Sequence, residues 1–122
     1  MDSVYDLYQR GRELLQSGDY EAAIVPLSRA RNLEPGKASI RETLGRALFH
    51  ARRYESAAAE FEAVASETPT DDYALFCLGR SMQLLGRHRE ACQPLALACS
   101  LRPEREDYRV YRDRARRDAH GF

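Results

Sequence analysis

The sequence lacks a net charge, a long apolar run and a secretion signal, and each absence excludes a class of protein. Its 122 residues contain 19 basic and 19 acidic side chains, so no overall positive field attracts nucleic acid or anionic lipid. No stretch approaches the roughly 20 apolar residues that cross a bilayer, and no basic region precedes an apolar segment at the start. We therefore expect a cytoplasmic protein, without membrane insertion and without a nucleic-acid partner.

Cysteine and lysine are scarce as well. Cys77, Cys92 and Cys99 are odd in number and lack the CxxC spacing that is typical of zinc or redox sites. We expect three reduced thiols, with neither a disulfide framework nor a metal site. Lys37 is the one lysine, and all other basic residues are arginine; this bias indicates a GC-rich bacterial genome.

Catalytic motifs are also missing from the sequence. It contains no phosphate-binding loop, no nucleophile motif and no metal-ligand spacing, and its histidines are scattered. The adjacent carboxylates Asp71 and Asp72 lie at an expected helix start, where negative charge favours the helix dipole and caps free backbone donors. We therefore predict that the protein is not an enzyme, with no catalytic residues and no cofactor.

What the sequence does contain is a unit of 34 residues that occurs three times. Glycine, alanine and proline each recur in one register, at Gly11, Gly45 and Gly79, at Ala23, Ala57 and Ala91, and at Pro35, Pro69 and Pro103. A fixed period of this length is typical of a repeat array. The glycines and alanines would let paired helix backbones approach closely, where larger side chains would hold them apart.

The spacing of apolar residues predicts two helices in each copy and one more after the third copy. The expected helices cover residues 4–17, 20–33, 38–51, 54–67, 72–85 and 88–101, within repeats at about 4–37, 38–71 and 72–105. Pro26 and Pro94 fall inside two of them, where we expect curvature without a break. Tyr108 and Tyr111 lie at helical spacing in a charged segment, which predicts a capping helix over about 104–118. A basic nucleic-acid-binding arm is disfavoured there because acidic residues alternate with the arginines.

The three copies resemble the tetratricopeptide-repeat (TPR) family, over about residues 4 to 105. The resemblance implies an all-α fold, a right-handed α-solenoid of three helix-turn-helix hairpins with a seventh, capping helix, in a single domain over residues 1–122. It also implies a concave groove, lined by the first helix of each hairpin, in which a segment of a partner protein binds. The fold hosts many unrelated ligands, so the resemblance does not specify the partner.

The first helices carry residues that packing does not require and that the resemblance directs into the groove. These candidate partner-binding residues are Tyr5, Tyr8, Arg12, Arg46, Phe49, His50, Tyr73, Phe76, Arg80 and Gln83. Arg12, Arg46 and Arg80 are one period apart, and a row of guanidinium groups suits carboxylates on a bound peptide. Internal pairing is the alternative, because Glu42 stands four residues before Arg46. Aromatic rings among arginines are typical of binding hot spots, although rings at helical spacing also belong to cores.

The groove positions depart from one known TPR pattern. TPR proteins that hold the C-terminus of heat-shock chaperones carry lysines and asparagines where this chain has Tyr8, Arg12, Thr43, Tyr73 and Cys77. The departure argues against that clamp, but it does not argue against acidic peptides in general.

These observations lead to one prediction and two alternatives. We predict a non-catalytic protein-interaction module, an adaptor or scaffold that binds a partner peptide or helix, with an acidic peptide as one candidate. The first alternative is self-association into a homo-oligomer such as a dimer, burying Tyr5, Tyr108 or Tyr111. The second is service as an accessory or regulatory subunit of an enzyme or a secretion complex.

Overall fold

Seven α-helices joined by short turns make up the computed structural model, which describes residues 2–120. They are α1 (Val4–Gln16), α2 (Tyr20–Leu33), α3 (Ala38–His50), α4 (Tyr54–Glu67), α5 (Asp72–Leu84), α6 (His88–Leu101) and α7 (Glu106–Ala119). The all-α prediction is confirmed, and the six paired helices match their expected bounds to within about one residue. Met1 and residues 121–122, the ends of the predicted domain, lie outside the described residues.

The chain divides into two compact units, with the boundary between Glu60 and Phe61 inside α4. In the first unit α1 packs against α2, and α2 packs against α3. In the second unit α5 packs against α6, and α6 packs against α7. That the whole chain forms one domain remains a prediction.

Side chains next to the helix starts explain why two of the first helices begin where they do. The Ser3 hydroxyl accepts a hydrogen bond from the Asp6 backbone at 3.1 Å, and the Asp6 carboxylate accepts one from the Ser3 backbone at 3.4 Å. This reciprocal pair is a capping box. Asp71 caps α5 by accepting a bond from the Ala74 backbone at 3.0 Å, as the sequence predicts.

The repeated glycines lie where two helices approach each other. A Cβ added to Gly11 in α1 would lie 2.5 Å from Cδ2 of Leu27 in α2. A Cβ added to Gly79 in α5 would lie 2.7 Å from Cδ2 of Leu95 in α6. Real Cβ atoms do not come this close, so each glycine is required by the helix that packs on it.

The two internal prolines do not interrupt their helices. Pro26 lies within α2 and Pro94 within α6, and both are buried. The prediction that neither proline breaks its helix is confirmed.

A buried tyrosine of the last helix packs against α5. Tyr108 is 0% exposed, and its hydroxyl donates a hydrogen bond to Asp72 Oδ2 at 2.7 Å. The Tyr108 ring stacks on Phe76 with centroids 4.5 Å apart. Across residues 2–120, none of the helices combines the length and the hydrophobicity of a membrane span.

Candidate functional site

An open cavity of about 350 Å³ lies beside α1 and α3 in the first unit. Its lining residues are Val4, Tyr5, Tyr8, Gln9, Arg12, Glu34, Lys37, Ser39 and Ile40. The cavity thus brings together Tyr5, Tyr8 and Arg12 from the predicted site. We call it the α1–α3 cavity.

A hydroxyl network fixes the position of Tyr8. The Thr43 hydroxyl donates to the Ser39 carbonyl at 2.7 Å and lies 3.3 Å from the Tyr8 hydroxyl. Threonine has a single O–H donor, so the Tyr8 hydroxyl is the group that can donate between these two. This contact joins α1 to α3.

Neutral groups hold the Arg12 side chain. Its guanidinium carbon lies 5.6 Å from the centroid of the Tyr8 ring, and its Nη1 donates to Gln9 Oε1 at 3.4 Å. Gln9 in turn donates to the Tyr5 hydroxyl at 2.9 Å. These contacts orient the exposed guanidinium. They leave its positive charge in place, whereas a carboxylate partner would neutralise it.

The edge of the cavity at the start of α3 carries a lysine, a glutamate and the N-terminus of a helix. Lys37 occupies the N-cap position without a capping side-chain bond, and the first turn of α3 contains no acidic residue. The Lys37 ammonium lies 3.5 Å from Glu34, but both side chains are largely exposed, so solvent screens this pair. The positive end of the helix dipole adds to the charge of Lys37.

Arg46 extends the same face of α3 beyond Ser39 and Thr43. The three residues are spaced at helical intervals, four and three apart. Arg46 is exposed, and across residues 2–120 its guanidinium takes part in no hydrogen bond or ion pair. The internal pair with Glu42, which the sequence left open, does not form among these residues.

Three predicted site residues of the second unit contact α7. Phe76 stacks on Tyr108, as described above. The Arg80 guanidinium lies 4.0 Å from the centroid of the Tyr111 ring and donates to Gln83 Oε1 at 2.9 Å. Gln83 is buried and donates to the Tyr111 carbonyl at 2.9 Å. These contacts dock α7, and they leave little of Gln83 accessible to a partner.

The remaining predicted residues lie in other ring clusters. Tyr73 meets the Phe61 ring edge to face, with centroids 6.4 Å apart. Phe49 contacts the Tyr54 ring at 5.4 Å, and His50 stacks on Tyr20 at 4.8 Å. His50 lines a different cavity from Tyr8 and Arg12.

The sequence analysis missed Lys37 and Glu34 because it assigned the groove to helices alone. Both residues belong to the segment between α2 and α3, which borders the cavity. Arg114, one of the arginines of the disfavoured basic arm, lies one period after Arg80, and its guanidinium lies 4.9 Å from the Tyr111 centroid.

The α1–α3 cavity has the composition of a recognition site. Its tyrosines offer apolar surface with hydroxyl groups, and its cations offer charged donors for a carboxylate. In the part of the chain that the structure describes, no cluster of three histidine, cysteine or carboxylate side chains could hold a metal.

Comparison with known proteins identifies related chains. The family model described as tetratricopeptide repeat matches residues 8–72. Superkiller complex protein 3 of Mus musculus is 28% identical over 100 residues, which are 82% of this chain and 6% of that protein. The chain therefore spans only a small part of this curated relative.

Solved structures show the same fold. MamA (41-end) from Desulfovibrio magneticus RS-1 is 26% identical with a TM-score of 0.90, covering 97% of this chain and 68% of that one. The first TPR of Spaghetti (RPAP3), bound to the HSP90 peptide SRMEEVD, is 14% identical with a TM-score of 0.88, covering 97% and 94%. At 14% identity, the second likeness concerns the fold alone.

Proposed function

The chain belongs to the tetratricopeptide-repeat family, and we propose that it is a non-catalytic interaction module that binds an acidic segment of a partner protein in the α1–α3 cavity. The observation that carries this proposal is the pairing of two tyrosines with Arg12 and Lys37 around a cavity of about 350 Å³. A peptide carboxylate would contact the cations, and its apolar neighbours would contact the rings.

Two further observations support an acidic ligand. Arg46 lies on the same face of α3 as Ser39 and Thr43, and its guanidinium has no partner among residues 2–120. The first TPR of Spaghetti, a domain of similar fold, is bound to a peptide that ends in Glu-Glu-Val-Asp. That precedent supports an acidic peptide as the ligand class, while the different groove residues of this chain point to a different sequence.

We place this module in the cytoplasm of a bacterium, as an adaptor or scaffold. Across residues 2–120, Cys77, Cys92 and Cys99 form no disulfide. Cysteines outside disulfides are usual in a reducing compartment, which supports the location expected from the sequence.

Affinity chromatography with a charge-neutralised variant tests the proposal. The wild-type protein and Arg12→Gln/Arg46→Gln would be immobilised and exposed to lysate of the source cell. Proteins retained by the wild type should be lost from the variant, because each missing guanidinium removes a charge-assisted hydrogen bond. Their affinity should fall about tenfold or more, as measured by calorimetry with the purified partner.

The matched control is Arg10→Gln/Arg29→Gln. It also removes two positive charges, but from residues that do not line the cavity. Both arginines are exposed and lie near Asp2, at 3.2 and 3.8 Å. This control should retain partners as the wild type does. Equal retention by the wild type and by Arg12→Gln/Arg46→Gln would contradict a role for the α1–α3 cavity.

Self-association is the second candidate, and of the three tyrosines considered for it Tyr5 is the most accessible. That side chain is 68% exposed on α1. Tyr108 is already buried against α5, and Tyr111 is half-buried beside Phe76 and Arg80. We therefore propose α1 as the interface of a homodimer.

A further inference from the structure

The turns that join the two helices of each pair share one backbone geometry. In the second turn the Arg52 backbone donates to the Phe49 carbonyl at 3.0 Å, and the Arg53 backbone donates to the Leu48 carbonyl at 2.8 Å. Equivalent bonds occur around Gly18 and Gly86. The middle residue is left-handed each time, with φ of 84° at Gly18, 64° at Arg52 and 78° at Gly86.

Arg52 is the one non-glycine residue with positive φ in residues 2–120. The left-handed region is disfavoured for residues that carry a Cβ, and glycine enters it without that penalty. Two of the three turns accordingly use glycine. The second turn keeps an arginine where its own geometry favours glycine.

Contacts within the chain do not explain this arginine. Arg52 is exposed, and its side chain takes part in no hydrogen bond, ion pair or ring contact among the described residues. The neighbouring Arg53 is different, because it donates two bonds to Glu21 at 2.6 and 3.2 Å. Backbone strain of this kind concentrates at functional sites.

Arg52 borders an open cavity of about 540 Å³, which Tyr20 and His50 also line. The His50 ring stacks on Tyr20 with an interplanar angle of 22° and is exposed. Two carboxylates also line this cavity: Glu21 is paired with Arg53, and Asp19 accepts a bond from the Ser17 hydroxyl at 3.0 Å. Among the described residues Arg52 forms an ion pair with neither carboxylate, so its guanidinium lies unpaired beside an exposed flat ring.

We propose that Tyr20, His50 and Arg52, which we call the turn surface, form a second docking site for an acidic segment of a partner protein. The Arg52 guanidinium would bind a glutamate or aspartate carboxylate through paired charged hydrogen bonds. An aromatic side chain next to that carboxylate would stack on His50. The turn surface is separate from the α1–α3 cavity, so a partner could engage either one.

Replacing Arg52 with glycine tests the proposal because stability and binding should change in opposite directions. The probe is an acetylated and amidated peptide of alternating glutamate and tyrosine, titrated into ¹⁵N-labelled protein. Arg52→Gly should raise the midpoint of thermal unfolding by about 3 °C, since the strain is relieved. Its affinity for the probe should fall about tenfold, since the charged contact is lost.

Three controls separate this site from other causes. Arg52→Lys keeps the charge and the strained backbone but loses the paired geometry, so it should bind with intermediate affinity and gain no stability. Replacing the glutamates of the probe with glutamine should weaken binding as much as Arg52→Gly does. Arg12→Gln/Arg46→Gln should leave the chemical-shift changes at Tyr20, His50 and Arg52 intact, even if the α1–α3 cavity has no ligand.

Several results would overturn the proposal. One is unchanged probe affinity in Arg52→Gly. Another is a set of chemical-shift changes confined to Tyr8, Arg12 and Ser39, which would assign the probe to the α1–α3 cavity. The third is the absence of any binding by the wild-type protein.

Discussion

Glu60 occupies the place that Pro26 and Pro94 hold in the other two copies, 34 residues from each. Its side chain is only 6% exposed, yet it carries a carboxylate. Two guanidinium groups compensate that charge: Arg31 donates to Oε2, and Arg41 donates to Oε1 at 2.9 Å. The second copy thus has a buried ionic cluster where the others have an apolar ring.

Removing Glu60 should therefore destabilise the protein strongly. Glu60→Ala leaves Arg31 and Arg41 facing each other without their shared carboxylate, and both arginine side chains are less than one-third exposed. We expect the free energy of unfolding to fall by about 2–4 kcal/mol, as for other broken buried pairs whose partners keep some solvent. Urea unfolding followed by circular dichroism measures it.

The same substitution at Glu21 is the control for helix propensity. Glu21 accepts two bonds from Arg53, but its side chain is 62% exposed. Glu21→Ala should cost less than about 1 kcal/mol. If the two variants lose equal stability, burial is not what makes the Glu60 cluster important.

At the residue scale, periodicity predicts what the three copies share. Gly11 and Gly79 were predicted as sites of close helix approach, and Leu27 and Leu95 pack on them as expected. The left-handed φ of Arg52 was not predicted, although the 34-residue register aligns Arg52 with Gly18 and Gly86, the glycines that mark this position in the other two turns.

At the element scale, α7 continues the register of the first helices. Arg114 follows Arg80 by one period, but Asp113 stands where the copies have Gly45 and Gly79. A carboxylate cannot admit the close helix contact that glycine allows. The sequence therefore predicted a cap from its charge pattern, although it did not predict that Phe76 and Gln83 dock this helix. That outcome depends on which side chains face each other once the helices pack.

Tyr108 is the residue whose removal should loosen α7 most selectively. Tyr108→Phe keeps the ring on Phe76 but removes the hydroxyl that donates to Asp72. The cost at pH 7 should be about 1–2 kcal/mol, because Asp72 loses a buried hydrogen-bond partner. Thermal or urea unfolding of the variant would measure it.

The stability lost in Tyr108→Phe should be smaller in alkaline solution. Burial, and then the hydrogen bond to Asp72, raise the pKa of the Tyr108 hydroxyl above its ordinary value. The folded state thus keeps its proton while the unfolded chain ionises near pH 10. This stabilisation is complete below pH 10 and is lost as the pH rises toward the higher folded pKa, by about 1.4 kcal/mol per pH unit.

Wild type and Tyr108→Phe should consequently converge in stability between pH 10 and 11. A difference between the wild type and Tyr108→Phe that stays constant over that range would show that Tyr108 titrates alike in both states.

At the scale of the whole molecule, the sequence specifies a helical repeat protein but not its partner. The period, the caps and the turn residues are local features, so a single sequence suffices to predict seven helices. The lining of the α1–α3 cavity is different, because Arg12, Lys37 and Ser39 come from α1, the segment before α3 and α3 itself. No repeat position requires any of them, so their meeting in one cavity is visible only in three dimensions.

The balance of charge governs how copies of the molecule meet. With 19 basic and 19 acidic residues the formal net charge is zero at pH 7, and the sequence pI is near 6.8. Molecules without net charge repel each other weakly and associate through local attractions between opposite charges. We therefore expect weak, concentration-dependent self-association near neutral pH.

Light scattering after size-exclusion chromatography should show this association decline when the pH is lowered from 7 to 5.5. That pH lies below the sequence pI of about 6.8, so each molecule carries a net positive charge and copies repel each other. Raising the salt concentration at pH 7 should have the same effect, because it screens attractions beyond about 10 Å at 0.1 M.

A specific dimer through α1 would behave otherwise: its mass would stay at twice the monomer at pH 5.5 and in high salt. It would become monomeric in Tyr5→Glu, because that substitution places a charge in the apolar contact. Weak association that depends on net charge and is unchanged in Tyr5→Glu would contradict the specific dimer and favour the interaction module.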